Sequence, residues 1–441
     1  MGAWKTAMVC GLGASGAAAA RLLRAEGVAV LAADERDTPE SRKSAEALAA
    51  LGCAVALGAK TPPAGDFDAA VASPGLPAAG AFLSALRQRG VPLVSEMELG
   101  WSRFRGRTIA VTGSNGKSSV VKALAEGLEA AGRRAVPCGN YGLPVCQAVP
   151  ESPGADWLVI EVSSFQLETC AEFRPDIGVL LNVLPNHLDR HGTLEAYAGL
   201  KARLFARQRA GDVALTPPEW RERFRAWSGG RGEWRTFGAG ADAEVRFRAG
   251  RLESRAGAGL DLAGSYFNNE VLGPNAAALF GAAQAAGIPA ATVQAALRGF
   301  RSLPHRAEPV GEFAGVRYVN DSKATNLSAM VASIRMQDRP VWLIAGGRPK
   351  ETDFSAAIPV LRERVRGAFL IGEAAAAMAA AWGGAVPCEA CGTLDRAVAA
   401  ARRAARPGDA VLLAPACTRY DQFRAYPERG DAFRKFASEK G

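Results

Sequence analysis

The chain has 441 residues, roughly three ordinary domains, so two or three separate cores are expected and a single compact domain is not. At 49% hydrophobic and 22% charged, it falls outside the disordered and fibrous classes. Its 53 basic and 44 acidic residues give a net charge of +9 without any basic run of five, so no nucleic-acid partner is expected, and a phosphate-rich small ligand fits the charge at least as well.

No apolar run approaches the roughly 18 residues of a membrane span, so no membrane insertion is expected. The eight cysteines are dilute and suit a reducing compartment, with the cytoplasm as default. Cys388 and Cys391 form a CxxC, but no second pair or nearby histidine completes a zinc site.

In chain order, short apolar runs at 7–11, 28–33, 69–72, 109–112, 157–162, 177–183, 341–345, 368–371 and 410–414 are bounded by Gly, Pro, Asp or Ser and separated by helical patterns. They read as buried parallel strands, which makes the class α/β. Between 230 and 272 the pattern becomes Gly-rich and Arg-interleaved, which reads as short antiparallel strands rather than another βα unit. Three domains are expected: 1–95 and 303–441, both Rossmann-like, around a central 96–302 P-loop domain with a small antiparallel part.

Gly11-Leu12-Gly13-Ala14-Ser15-Gly16 follows the first strand and Asp34 ends the second, the form of a turn that holds a dinucleotide or another nucleotide diphosphate. A glycine turn with structural duties alone is the alternative. Thr112-Gly113-Ser114-Asn115-Gly116-Lys117-Ser118-Ser119 lies between the strand 109–111 and the helical run 120–131. There, backbone N–H groups and a helix N-terminus can surround a triphosphate, Lys117 adds a point charge and Ser118 can ligate Mg²⁺. The spacing is two residues shorter than the usual G-x-x-x-x-G-K-S, and an ordinary cap and turn is the alternative.

Glu161 ends one later strand, and His187 follows another in Leu184-Pro-Asn-His-Leu-Asp-Arg-His191. Parallel strands gather ligands at their carboxyl ends, so Lys117, Ser118, Glu161 and His187 should converge, with the carboxylate and imidazole holding Mg²⁺ against phosphate oxygens. The histidine is otherwise a satisfied core residue. Near the C-terminus, Asn320-Asp-Ser-Lys-Ala-Thr-Asn326 and Gly346-Gly-Arg-Pro-Lys350 put cations and hydroxyls after strands, as a site for an anionic co-substrate would, or as plain turns with surface lysines.

Together with Glu161-Val-Ser-Ser-Phe-Gln-Leu-Glu168, Leu303-Pro-His-Arg306 and Asp421-Gln-Phe423, these motifs resemble the Mur ligases, in the family's order and over about residues 7 to 440. The resemblance implies an ATP-dependent amide ligase of peptidoglycan precursor synthesis that adds D-glutamate to UDP-MurNAc-L-Ala through an acyl phosphate. It implies UDP-sugar contacts at Ser15, Asp34, Arg36, Gly75 and Asn140. ATP contacts are implied at Gly113, Ser114, Asn115, Gly116, Lys117, Ser118, Ser119, Asn275, Arg306 and Asp321. Ser118 and Glu161 would hold one Mg²⁺, and His187 with a carbamylated Lys201 a second. D-glutamate would meet Lys323, Thr325, Lys350, Arg419 and Tyr426, and the catalytic set would be Lys117, His187, Lys201, Lys323 and Lys350. Read without the resemblance, Lys201 is a plain surface lysine.

Two positions depart from the family pattern. Val271 and Leu272 replace a His-Asn pair ahead of Asn275, and Arg419 stands where a serine meets the glutamate carboxylate. Alternatives are a sister Mur ligase or a folylpolyglutamate-synthase-like ligase with a different amino acid, although the Asp-Asn-Pro-Arg signature of diamino-acid-adding members is missing. An NAD-dependent dehydrogenase would leave the second nucleotide turn unexplained, and a nucleotide-gated binding protein is the non-enzymatic reading. A monomer is expected.

Overall fold

Runs of three to seven apolar residues cannot keep both faces dry alone, and in this chain they pair into three sheets covered by helices. The computed structural model describes residues 4–257, 259–349, 352–418 and 421–439.

The first sheet comprises β1 (Thr6–Cys10), β2 (Ala29–Asp34), β3 (Ala54–Leu57), β4 (Ala69–Ala72) and β5 (Leu93–Ser95), all parallel in the order β3-β2-β1-β4-β5. Strand order reverses between β1 and β4, which opens a crevice at their carboxyl ends. A buried helix, Glu96–Trp101, capped by the Ser95 hydroxyl, leads to the second sheet.

That sheet contains β6 (Arg107–Thr112), β7 (Ala135–Gly139), β8 (Trp157–Glu161), β9 (Ile177–Leu180), β10 (Val213–Thr216), β11 (Glu233–Gly238), β12 (Val245–Arg248), β13 (Arg251–Ser254) and β14 (Gly259–Asp261). Its order is β14-β13-β12-β11-β10-β9-β6-β8-β7. The segment from 230 to 272 differs from the expectation. β11 pairs parallel with β10 across the helix Pro218–Ser228, β12 is parallel to β11, and only β12, β13 and β14 are antiparallel. The Glu-Trp-Arg-Thr-Phe-Gly sequence of β11 mixes polar and apolar residues, with its first half only partly covered, and so imitates an antiparallel strand.

The third sheet comprises β15 (Glu308–Phe313), β16 (Val316–Asn320), β17 (Val341–Gly346), β18 (Val365–Ile371), β19 (Cys388–Gly392) and β20 (Ala410–Leu413) in the order β15-β16-β20-β17-β18-β19. Only β15 runs antiparallel, in a hairpin with β16. The chain divides into two compact units, Met1–Ser265 with Gly273–Gly299 and Tyr266–Leu272 with Phe300–Gly441. Among the described residues, no helix is long and apolar enough to cross a membrane.

Candidate active site

β6 lies inside the second sheet, with β8 and β9 on its two sides, so the turn leaving β6 is flanked by the segments that leave its neighbours. Gly116 takes a left-handed φ of 87°, and a Cβ there would lie 2.4 Å from Asn275 Nδ2, so the turn requires glycine and brings Asn275 against it. The helix Lys117–Ala130 starts at once with no side-chain cap, which points its first-turn N–H groups at the loop. Asn182 Oδ1 accepts from the backbone N–H groups of Ser114 (3.0 Å) and Asn115 (2.9 Å) and fixes the turn's shape.

Five predicted residues meet here. Ser118 Oγ donates to Glu161 Oε2 at 2.5 Å, and Asn140 Nδ2 donates to Glu161 Oε1 at 2.6 Å. Lys117 Nζ donates to the carbonyls of Gly113 (2.8 Å) and Ser114 (3.0 Å), and Lys201 Nζ reaches the same Gly113 carbonyl at 3.1 Å. Ser119 is buried in the first turn of the helix. The expected surface position of Lys201 is corrected: only 1% of the residue is exposed, with its ammonium 4.3 Å from the centre of the Tyr197 ring. Burial first, and then the neighbouring Lys117 cation, hold its pKa well below the ordinary lysine range, against an opposing pull from Glu161. The amino-acid pattern hid this because Lys201 is the last polar residue of the helix Leu194–Ala202, whose Tyr197, Ala198 and Ala202 pack into an apolar core.

His187 adopts a left-handed φ of 54°, and its ring sits edge-on to Phe165 at 4.8 Å. Among the described residues no three His, Cys, Asp or Glu groups cluster as metal ligands. The Ser118 hydroxyl and Glu161 carboxylate are nevertheless hard oxygen donors in contact, a pair suited to Mg²⁺.

At the first sheet's crevice, Gly16 packs so closely that a Cβ would lie 1.7 Å from the Gly11 carbonyl. Ser15 is in the first turn of the helix Ala14–Ala25. The Asp34 carboxylate accepts from the N–H groups of Leu12 (2.8 Å) and Arg36 (2.9 Å), and the Arg36 side chain is 74% exposed. The Gly75 carbonyl lies 3.4 Å from Arg190 Nη1. Asn140 stands with Glu161 on the second sheet, away from this turn in sequence and in hydrogen bonding.

In the other unit, Lys323 Nζ sits 4.2 Å from the centre of the Tyr426 ring, and Thr325 is half-buried in the same loop. The Arg306 carbonyl accepts from the Tyr266 hydroxyl at 3.3 Å. Burial raises Asp321 to about 6 despite the nearby Arg306 cation. Lys350 and Arg419 lie outside the described residues.

Sequence reasoning overlooked Tyr197, Asn182 and Arg429. Tyr197 precedes Lys201 by one helical turn, a spacing that could have paired them, and Ser114 Oγ donates to its hydroxyl at 3.3 Å. Arg429, buried to 1% exposure, donates to the Ser322 hydroxyl (3.0 Å) and to the carbonyls of Ser322 (2.9 Å) and Cys417 (3.3 Å), joining two loops of the third sheet. No sequence signal marks it among 53 basic residues.

A glycine-rich phosphate turn on parallel strands, with lysine, hydroxyl and carboxylate packed together behind it, defines a nucleotide-binding α/β protein. Family models of the Mur ligase MurD-like N-terminal domain, the Mur ligase middle domain and the Mur ligase glutamate ligase domain match residues 5–95, 111–276 and 305–417. Among curated proteins, the UDP-N-acetylmuramoylalanine--D-glutamate ligase of Acidobacterium capsulatum is 39% identical over 448 residues, covering 98% of this chain and 95% of its own. That of Solibacter usitatus is 40% identical over 442 residues, covering 98% and 97%. The fold matches the MurF crystal structure from Acinetobacter baumannii with a TM-score of 0.62 at 18% identity, covering 93% of this chain and 91% of that one. The chain belongs to the Mur ligase family.

Proposed function

We propose that this chain is an ATP-dependent amide ligase that joins D-glutamate to UDP-N-acetylmuramoylalanine, acting in the cytoplasm as a monomer with Mg²⁺. The carrying observation is that Ser118 meets Glu161 while Lys117 and the buried Lys201 share the Gly113 carbonyl, at the helix N-terminus after β6. Full-length likeness to D-glutamate ligases supports the substrates, and eight free cysteines suit a reducing compartment.

A carboxylate oxygen of the alanyl group attacks the γ-phosphorus of ATP, ADP leaves, and an acyl phosphate results. The amine of D-glutamate then attacks the acyl carbon, and the tetrahedral intermediate loses phosphate and a proton to give the amide. In this reading the N–H groups of 113–119 and Lys117 bind the phosphates and stabilise the charge that develops on them. Ser118 and Glu161 would hold one Mg²⁺, and His187 with Lys201 a second. The bound cation neutralises phosphate charge. Burial favours the neutral Lys201 amine, which adds to CO₂ to form a carbamate and release a proton, turning a cation into an oxygen donor. Ser15, Asp34, Arg36, Gly75 and Asn140 would bind the nucleotide sugar; Asn275, Arg306 and Asp321 ATP; and Lys323, Thr325, Lys350, Arg419 and Tyr426 D-glutamate.

A phosphate-release assay with ATP, Mg²⁺ and UDP-MurNAc-L-Ala across D- and L-amino acids tests this reading. Release is expected with D-glutamate. Preference for another amino acid would replace the D-glutamate assignment, and release independent of any amino acid would overturn the ligase reading.

A further inference from the structure

Between the two sheets of the first unit lies a charged cluster that the catalytic reading leaves unused. Glu168 and Arg190 form a two-pronged pair, Nε to Oε1 at 2.9 Å and Nη2 to Oε2 at 2.7 Å, with side-chain exposures of only 10% and 17%. Each partner also holds the loop that follows β4. The Ala78 N–H donates to Glu168 Oε2 at 3.0 Å, and Arg190 donates to the carbonyls of Leu76 (3.0 Å) and Gly75 (3.4 Å). The guanidinium carbon lies 4.3 Å from the centre of the Phe165 ring, whose edge contacts reach His187. Three residues from His187, Arg190 therefore grips the loop containing Gly75 and the ring against His187 at once.

The geometry points to Arg190 and Glu168 as positioning residues that lock the nucleotide-sugar loop 75–78 to the His187 segment. Filling of the first sheet's crevice and alignment of the phosphate-side groups are then one event. The identity of the nucleotide sugar rests on the function proposed above; the lock itself rests on the contacts. A guanidinium fork suits the task because its planar donors serve a carboxylate and two carbonyls in fixed directions, which a lysine ammonium does not.

The test compares wild type with Arg190→Ala, Arg190→Lys, Glu168→Gln and the Glu168→Gln/Arg190→Ala double variant, measuring kcat, both KM values and thermal midpoints. The KM for UDP-MurNAc-L-Ala should rise about tenfold or more in each single variant and kcat should fall, while the KM for ATP stays within about twofold. The double variant should be no worse than the poorer single variant, as expected for groups acting as one unit. Lysine at 190 keeps the charge and protects the experiment against an unfolded alanine variant. A purely structural pair would lower the thermal midpoint and the active fraction with both KM values unchanged, and that result, or multiplying single effects, overturns the lock. Should wild type form no amide with any amino acid, the functional reading falls, and calorimetry with UDP alone still decides the lock. Arg190→Ala should then bind UDP about fivefold or more weakly, and unchanged UDP affinity overturns the proposal.

Discussion

An ammonium as enclosed as that of Lys201 is costly to keep charged, and the Lys117 cation beside it adds to the cost. Neutral amine therefore predominates to lower pH than for a surface lysine, and activity that depends on the carbamate should fall as acid protonates the amine and should rise with added bicarbonate. Lys201→Ala is expected to lose most activity and to regain part of it with a short-chain carboxylic acid, measured as ADP formation; full activity in the alanine variant would remove the residue from the chemistry. Lys117 differs, because its ammonium already rests on two carbonyls of the glycine turn after β6. Lys117→Ala should lower kcat by about 10²–10³-fold or more, the scale of one lost transition-state donor. UDP-MurNAc-L-Ala binding by calorimetry should be unchanged, and equal loss of sugar-nucleotide binding would contradict the separate roles.

At the scale of elements, the short helix Glu96–Trp101 carries an acid into the interior: Glu96 is 1% exposed and accepts the Cys146 N–H at 2.7 Å. Burial raises its pKa from 4.5 to about 7 in spite of that donor. Below the unfolded value both states are protonated; between 4.5 and about 7 only the unfolded chain ionises, so folding stability is lost as pH rises across that window, by at most about 3 kcal/mol. Glu96→Gln should remove this part of the pH dependence, so that urea midpoints at pH 5 and pH 8 lie closer together than in wild type. An unchanged difference would place the titration elsewhere. The same scale explains what the sequence made legible. Strands in sheet interiors, such as β1, β6, β8 and β17, are unbroken apolar runs and were readable. The edge strands β7, β15 and β19 have one open side and sequences broken by Pro, Gly or Glu, and escaped the nine apolar runs; the short edge strands β3 and β5 escaped them too, although Ala-Val-Ala-Leu and Leu-Val are apolar. Glu161 was legible because it ends such a run, and Ser118 because it belongs to the glycine turn and helix start that follow one. The buried state of Lys201 and the span of Arg190 across two sheets depend on tertiary packing, which local sequence does not carry.

For the whole molecule, the consequence follows from separate cores. The first two sheets pack around Val9, Leu23 and Val30 and around Ile160, Leu180 and Phe205, all in one compact unit; the third packs around Leu343, Leu370 and Leu412 in the other. Two units with independent cores should unfold in at least two calorimetric transitions, so a single melting temperature would not describe this chain. The residues proposed to bind the nucleotide sugar, Ser15, Asp34, Arg36, Gly75 and Asn140, all belong to the first unit. UDP-MurNAc-L-Ala alone, at 100 times its dissociation constant, should therefore stabilise that unit by about 2.7 kcal/mol and leave the transition of the second where it was. Lys323, Thr325 and Tyr426 lie in the second unit together with the proposed ATP contacts Arg306 and Asp321, so a shift of its transition should require the amino-acid co-substrate or ATP. Scanning calorimetry with and without the nucleotide sugar distinguishes the outcomes. One cooperative transition, or equal shifts of both, would show that the units are not energetically separate and that ligand binding in the crevice of the first sheet is felt through the entire chain.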